Sequence, residues 1–421
     1  MKRFTLITII MALLMFALPT SAMTLREAVD TALKNNPSLQ RTQKEIEVAE
    51  EDIKIAKGQK GVSIGLNGGF DANKTEGSEH SESLSARLTG SLPLYTGKRL
   101  ESAIKSAELG LNISKLTYEQ SKDDLIYQVV SAYVNALKNL ATAEVDVETC
   151  NNLSEHEKNI SELYDAGAKA KIDFLRATVE TSNAAQTASR SRADYEVSLT
   201  QLATLMSINS IASFNVEDLT ANTDLIDIEQ CISEAEEMRN DLKADELKIE
   251  QGEVQVVSAK SGWLPEVSAS VGIGTTASNG DWKPTSNTSA GVSATWSIFD
   301  NDVTRSRVNE AEIEVERLKL AMKSDIDSVH QNVVTAHKNL KAALLRLKTT
   351  QAAVTLAEEE RYIATERYRA GEGILLDVLD AEVSLSTAKK NHVNAKYDVI
   401  QYRFELAHAI GNTLELRSGQ N

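Results

Sequence analysis

Apolar and polar positions alternate strictly along four segments of the chain. Apolar side chains take alternate positions there, and the positions between them are mostly serine, threonine and glycine. A period of two residues is typical of β-strands, and the polar stretch inside each pair of segments is typical of a hairpin. We therefore predict one β-hairpin at about residues 62–95 and another at about residues 265–299. The apolar positions lie at Val62, Ile64, Leu66 and Phe70, then within Leu84–Leu94, Val267–Ile273 and Ala290–Ile298.

Helical periodicity dominates the rest of the chain. From Ile326 to Ala357, apolar residues recur in steps of three and four over more than four heptads, which indicates a coiled-coil seam. A continuous helix over residues 100–164 would be about 95 Å long. We predict a long helical hairpin at about residues 98–208 and another at about residues 302–412. The seam of the first hairpin is predicted at Ile126, Val130, Tyr133, Leu137, Leu140 and Val147.

A shorter helical segment is predicted before each β-hairpin. The first runs from Thr24 to about residue 60, and the second runs from Asp227 to about residue 262. Thr24 and Asp227 are residue types that cap helix N-termini, and Glu27 follows Thr24 at the spacing of a capping box. Both segments are therefore expected to begin at these two residues.

The two halves of the chain repeat each other. Tyr-Asp-Ala-Gly at 164–167 recurs as Tyr-Arg-Ala-Gly at 368–371, so Gly371 follows Gly167 by 204 residues. Repeats of this length predict an architecture of two like units, each with a helix, a β-hairpin and a long helical hairpin that turns at its glycine. The predicted divisions are a first repeat at 23–215, a linker at 216–226, a second repeat at 227–413 and a tail at 414–421.

The N-terminus and the charge limit the classes of function. Residues 1–22 have the basic start, the short apolar core and the small-residue end of a secretory signal, so we expect an exported protein. Loss of Lys2 and Arg3 with this signal changes the formal net charge from −16 to −18, which excludes a nucleic-acid binder by charge. Cys150 and Cys231 are compatible with a disulfide or with two free thiols.

The β-hairpins have two interpretations. They pack as amphipathic hairpins on a soluble core, or they span an outer membrane with one face toward lipid. Small residues on the polar face, long polar loops and the predicted export favour the second interpretation, a mainly α protein with transmembrane β-strands. Four strands cannot close a barrel, so membrane insertion requires oligomers, with eight strands from two copies or twelve from three.

Two possible chemical sites are assigned other roles. Gly61-Val-Ser-Ile-Gly65 matches the nucleophile elbow of hydrolases, but it lies inside an alternating strand pattern and not in a strand-to-helix turn. His330 and His337 lie seven residues apart on a predicted helix, with no third ligand in the pattern. We predict no catalytic residues, no cofactor and no metal site.

From about residue 24 to residue 412 the chain resembles the TolC-type outer-membrane efflux proteins. The resemblance is carried by the order and spacing of four motifs together with the repeat. It implies a trimer with a 12-stranded outer-membrane barrel and a 12-helix periplasmic tunnel, without enzymatic activity. It also implies a periplasmic adaptor and an inner-membrane pump or ABC transporter as partners. The motifs are Leu264–Val267, Ser297–Asp300, Tyr368–Gly371 and Asp377–Ala381.

The resemblance also implies a constricted tunnel end at the hairpin tips. Asp377 and Asp380 stand where the family has acidic rings; alternatively, Asp377 is an acidic residue in the first turn of a helix. Asp173 is the first-repeat counterpart of Asp377, but Arg176 replaces the second acid.

Tyr164 and Tyr368 stand where family members close the entrance by polar contacts; alternatively, each tyrosine packs on its own hairpin. Gly373 takes the place of a gating arginine, so the closing contacts are expected to differ, with Lys169, Lys171 and Glu372 as candidates.

The sequence does not distinguish export of drugs, metal ions or proteins. The alternative to a channel is a periplasmic coiled-coil scaffold or envelope structural protein that does not enter the membrane.

Overall fold

The computed structural model describes residues 23–74, 80–211, 225–278 and 282–412. The predicted signal peptide, most of the predicted linker and the tail lie outside these residues. The described chain forms two compact units. Of the described residues, the first unit contains those up to Gln40, those within Ser121–Arg239 and those from Ser328 onward, and the second contains those within Arg41–Gln120 and Asn240–Asp327.

Helices account for most of the described chain, and four strands interrupt them, which confirms the prediction of a mainly helical protein with a β component. A 3₁₀ helix at Ser261–Trp263 precedes the third strand. Among the described residues, no helix combines the length and the apolar character needed to cross a membrane. The elements are α1 (Leu25–Asn35), α2 (Pro37–Gly58), β1 (Ser63–Asn73), β2 (Ser81–Tyr95), α3 (Arg99–Asp165), α4 (Lys171–Leu205), α5 (Ile228–Met238), α6 (Asn240–Lys260), β3 (Glu266–Ser278), β4 (Thr285–Thr295), α7 (Val303–Arg369) and α8 (Leu375–Ile410).

The N-terminal segment of each repeat is two helices, so the expectation of one continuous helix is wrong at both places. Asn36 is extended (φ −64°, ψ 121°) because the next residue is Pro37, whose ring disfavours a helical conformation before it. Arg239 interrupts the second segment with nearly the same backbone (φ −63°, ψ 128°) and donates a hydrogen bond to the Ala409 carbonyl at 3.1 Å. The predicted caps are present, with Thr24 and Glu27 forming a capping box and Asp227 accepting from a backbone N–H.

The four strands form one antiparallel sheet in the order β1-β2-β3-β4. The two predicted hairpins are therefore joined, because β2 of the first repeat pairs with β3 of the second. β4 ends at Thr295, so Trp296 and Ile298, which the alternation placed in the strand, lie beyond it. Within the described chain, β1 and β4 each have a neighbour on one side only.

The long helices α3 and α7 each contain 67 residues, and their apolar seams determine which face is buried. The predicted seam of α7 is buried at most positions, including Val333 and Ala336, which have no exposed surface. In α3 the predicted seam is buried from Ile126 to Leu137, but Val147 is 43% exposed. The preceding residue, Asp146, is buried instead. Its carboxylate pairs with Lys390 at 3.0 Å and accepts a hydrogen bond from Ser191, and these contacts stabilise its charge in the interior.

Candidate functional site

The sheet has one exposed apolar face, and the strand register explains it. Leu66 lies opposite Leu88, which in turn lies opposite Ile273, so all three share a face across three strands. Their side chains are 74%, 47% and 56% exposed in the single chain. A contiguous apolar patch of this kind marks a surface that meets lipid or another protein.

The opposite face of the sheet is small and polar. The Ser63 and Ser91 hydroxyls lie 2.6 Å apart, and those of Ser268 and Ser293 lie 3.0 Å apart. Arg87 is the large side chain of this face, and its guanidinium donates to the Asn287 side-chain oxygen at 3.4 Å. The sheet therefore separates an apolar surface from a hydrogen-bonding one, as transmembrane strands do between lipid and lumen.

Aromatic side chains gather where β3 begins and β4 ends. The Trp296 indole donates a hydrogen bond to the Trp263 carbonyl at 3.1 Å, and both rings are about half exposed. Phe299 is more exposed still. Aromatic residues concentrate at the boundary between bilayer and water. The sequence analysis did not single out this group, although two of the three tryptophans of the chain flank one hairpin.

The tips of the two helical hairpins have the same backbone. Gly167 and Gly371 are left-handed, with φ of +74° and +75°. Each glycine N–H donates to the carbonyl of the tyrosine three residues earlier, Tyr164 at 2.9 Å and Tyr368 at 3.1 Å. A second bond closes each tip, from Ala168 to Leu163 and from Glu372 to Arg367. This pair of bonds is the Schellman motif, which ends a helix with a glycine in the left-handed conformation.

A hydrophobic tip cluster joins the two hairpins. Its buried members come from α3, α4 and α8, and Tyr368 of α7 packs against them. Tyr164 stacks on Phe174 with the ring centroids 5.7 Å apart, within the first hairpin. The buried members are Leu153, Ile160, Ala177, Leu375 and Leu379, and the partly buried members are Phe174, Ala184 and Tyr368.

Tyr368 meets the other hairpin through its ring. The Lys169 ammonium lies 4.2 Å from the ring centroid, which is a cation–π contact between the two tips. The Tyr368 hydroxyl is buried and has no hydrogen-bond partner among the described residues. The contact at this tyrosine is therefore aromatic and not a hydroxyl hydrogen bond.

Asp377 and Asp380 line one cleft between α7 and α8, with a volume of about 1060 Å³ including the space open to solvent. Both carboxylates are exposed in the single chain, and Asp377 lies in the first turn of α8. Glu359, Glu360 and Arg367 line the same cleft, so it carries four acids and one base. Asp173 lies in the first turn of α4 and is not among the residues that line this cleft.

The residues considered for chemistry have structural partners. Ser63 lies in β1 opposite Ser91, so the serine motif is not a strand-to-helix turn. His330 pairs with Glu236, and His337 lies 3.0 Å from the Ile226 carbonyl. No group of three or more metal-ligating side chains occurs in the described part of the chain. Cys150 and Cys231 are free thiols.

Comparison with known proteins identifies the family. The outer membrane efflux protein family matches residues 28–207 and 231–412. The outer membrane protein TolC of Escherichia coli K12 is 24% identical over an alignment of 437 positions, which covers 99% of this chain and 87% of that protein. Two solved channels share the fold at 19% identity. OprN has a TM-score of 0.80 over 92% of this chain and 90% of its own. CmeC of Campylobacter jejuni has a TM-score of 0.79 over 94% and 90%.

These matches confirm the predicted family resemblance and the predicted localisation in the outer membrane. BepC of Brucella suis, 20% identical to this chain, is named an outer membrane efflux protein, and OprN is named an outer-membrane channel; neither is named as an enzyme. The chain belongs to the outer membrane efflux protein family.

Proposed function

We propose that the chain forms a homotrimeric channel that serves as the exit duct of a tripartite efflux or type I secretion system. The observation that carries the proposal is the two-faced sheet, with an apolar exposed surface and a small, hydroxyl-rich one. An efflux role follows from the family to which the chain belongs.

The sheet explains why several copies of the chain would have to assemble in a membrane. In a bilayer every backbone polar group needs a partner, so the free edges of β1 and β4 must pair. Four strands are too few to close a barrel, and about eight is the practical minimum. Three copies supply twelve strands and leave a lumen lined by the serine and glycine face. The same three copies supply twelve long helices for the periplasmic tunnel, from α3, α4, α7 and α8.

The entrance of this tunnel is proposed at the hairpin tips. Three-fold symmetry would repeat the exposed carboxylates of Asp377 and Asp380 three times around the axis, and rings of acids attract cations. Asp173, Tyr164 and Tyr368 are proposed to shape the same constriction, with Gly167 and Gly371 as the turns. A periplasmic adaptor and an inner-membrane pump or ABC transporter are the proposed partners there.

Conductance through planar bilayers tests the channel directly. The purified, detergent-solubilised protein should insert and give stepwise, cation-preferring currents. Asp377→Ala with Asp380→Ala should lower the cation preference and weaken block by divalent cations, because the ring charge is lost. Glu45→Ala, an exposed acid on α2, serves as the control and should change neither. A well-folded protein without conductance would favour a periplasmic scaffold and overturn the proposal.

A further inference from the structure

We propose that the cleft between α7 and α8 is the seat for the start of α4 of a second copy of the chain. The apolar lining of this cleft is Leu356, Ile363 and Ala364. The surface that enters it is an exposed stripe on α4, here called the α4 stripe, formed by Ile172, Leu175, Val179 and Ser182. The seat rests on the proposed function, since it requires copies of the chain to assemble around one axis.

The two helical hairpins correspond position by position, without insertions. α3 begins at Arg99 and α7 at Val303, and α4 begins at Lys171 and α8 at Leu375, so each position has a counterpart 204 residues later. Like units that stack side by side reuse one contact from each pair to the next. The contact of α8 with α3 inside the chain therefore indicates how α4 of another copy meets α7.

Inside the chain, α8 lies against α3 through polar and apolar contacts. The Thr149 hydroxyl donates to the Ser386 hydroxyl at 3.0 Å. The Asn152 amide donates to the buried Glu382 carboxylate at 2.8 Å. Nearer the tip, Leu379 is buried in the tip cluster, whose other members include residues of α3 and α4. The first hairpin thus provides a surface that α8 covers.

The cleft on the second hairpin corresponds to that covered surface on the first. Ile160 of the tip cluster has Ala364 as its counterpart, and Asn152 has Leu356. Both counterparts line the cleft, and Leu356 is 67% exposed in the single chain. The surface that is covered on the first hairpin is therefore open on the second.

The α4 stripe corresponds to the part of α8 that covers α3. Leu379 is 5% exposed, whereas its counterpart Leu175 is 47% exposed. Ser386 is buried, whereas its counterpart Ser182 is exposed. Each copy therefore has one uncovered cleft and one uncovered stripe, on different hairpins.

The cleft and the segment that enters it have complementary chemistry. The cleft combines its apolar side chains with four acids and one arginine. The first turns of α4 carry the exposed bases Lys171 and Arg176 beside the apolar stripe. The acids of these turns, Asp173 and Glu180, are half-buried. An apolar contact with opposite charges around it is attractive and fixes the register of an interface.

A second copy of the chain is the occupant that this arrangement favours. A contact between two unlike surfaces of identical copies closes into a ring when the rotation between copies allows it. In a ring of three, each α4 stripe would enter the cleft of the next copy, and no stripe or cleft would remain uncovered. The tunnel wall would then repeat one contact, alternately within a chain and between chains.

Disulfide cross-linking tests the seat at the counterparts of Thr149 and Ser386. Ser182→Cys with Ala353→Cys puts one thiol on the α4 stripe and one on α7, both at exposed positions. Because the counterpart side chains lie 3.0 Å apart, the thiols of neighbouring copies should be within disulfide reach. Oxidation of the detergent-solubilised protein should give covalent dimers and trimers on a non-reducing denaturing gel.

The matched control is Thr187→Cys with Glu358→Cys, on the same two helices. The counterparts of this pair, Asn391 and Ser154, stay exposed inside the chain. The seat pair should link about tenfold faster than the control pair, because a contact gives its thiols a high effective concentration. Every variant also carries serine in place of the two native cysteines, so that only the introduced thiols react.

A second set of variants tests the apolar anchor. Leu175→Asp, added to the seat pair, should slow the cross-linking by about tenfold, because a charge would be buried in the contact. Leu175→Met keeps the apolar volume and should leave the rate unchanged. Loss of the trimer in Leu175→Asp but not in Leu175→Met would support the seat equally, and equal rates in the two variants would overturn it.

The native mass and the conductance of the unlinked proteins separate the seat from the channel. Conducting trimers whose seat pair links no faster than the control pair overturn the seat and leave the proposed function intact. A monomer without conductance overturns the proposed function and the seat with it.

Discussion

Tyr368 illustrates how one side chain links the two hairpin tips without using its polar group. Its ring packs on the tip cluster and lies under the Lys169 ammonium, while its buried hydroxyl has no partner among the described residues. A buried hydroxyl without a hydrogen bond contributes nothing to offset its lost hydration. The ring and not the hydroxyl should therefore hold this contact.

Tyr368→Phe is expected to leave the thermal midpoint unchanged or slightly raised, because it removes only the unpaired hydroxyl. Tyr368→Ala should lower the stability by about 2–4 kcal/mol through the lost packing of the ring. Thermal unfolding followed by circular dichroism measures both. Tyr362→Phe, at an exposed tyrosine on the same helix, is the control. A marked loss of stability in Tyr368→Phe would show that the hydroxyl has a partner.

Asp325 is a residue that the native state disfavours in its charged form. Asp325 is exposed in the single chain, but a partial loss of hydration raises its pKa, and the neighbouring carboxylate of Asp245 raises it further. A raised folded pKa means that the native state loses stability as the pH rises through it. The repulsion is therefore present at neutral pH and absent in acid.

Asp325→Asn should raise the thermal midpoint at about pH 7, and the gain should vanish near pH 3, where an unfolded aspartate with a pKa of about 3.9 is also protonated. Asp327→Asn, two residues along α7 and exposed like Asp325, is the matched control. An equal gain at both pH values would exclude charge as its cause.

At the scale of the elements, periodicity predicted the seam and the strands because burial follows the side-chain period. It was wrong at Val147 and silent on Asp146, since that carboxylate is buried by Ser191 and Lys390, which are far away in sequence. The break at Asn36 could be predicted from Pro37, whereas no proline marks the break at Arg239, whose side chain bonds to the distant Ala409 carbonyl.

The candidate site, like the helices and strands, could be predicted from the sequence only where the signal is local. Gly167 and Gly371 could be located because left-handed helix ends favour glycine. The contact of Lys169 with Tyr368 and the burial of Glu382 depend on how the two hairpins pack. The residue types at these positions do not indicate that packing. The roles of Asp377 and Asp380 stay predictions, since they depend on the assembled rings.

The seam of α7 allows a direct test at this scale. Leu340→Ala should lower the stability by about 2–5 kcal/mol, because it leaves a cavity at a buried seam position. Lys341→Ala, at the exposed next residue, should change it by less than about 0.5 kcal/mol. Chemical denaturation in detergent compares the two. Equal effects would mean that the seam does not carry the packing of this helix.

At the level of the whole molecule, we propose that the single chain is an incomplete part of a membrane channel. Its sheet exposes Leu66, Leu88 and Ile273 on one face and leaves β1 and β4 as edges. A lone chain with such a sheet would aggregate or pair through those edges. The proposed assembly in the outer membrane would cover the apolar face with lipid and pair the edges with other copies.

The native mass of the protein after extraction from outer membranes shows whether the chain assembles in this way. We expect salt and carbonate to leave the protein in the membrane, detergent to release it, and the released particle to contain three copies. A monomer released into water by carbonate would contradict the account, and a stable detergent-bound dimer would contradict the twelve-stranded barrel.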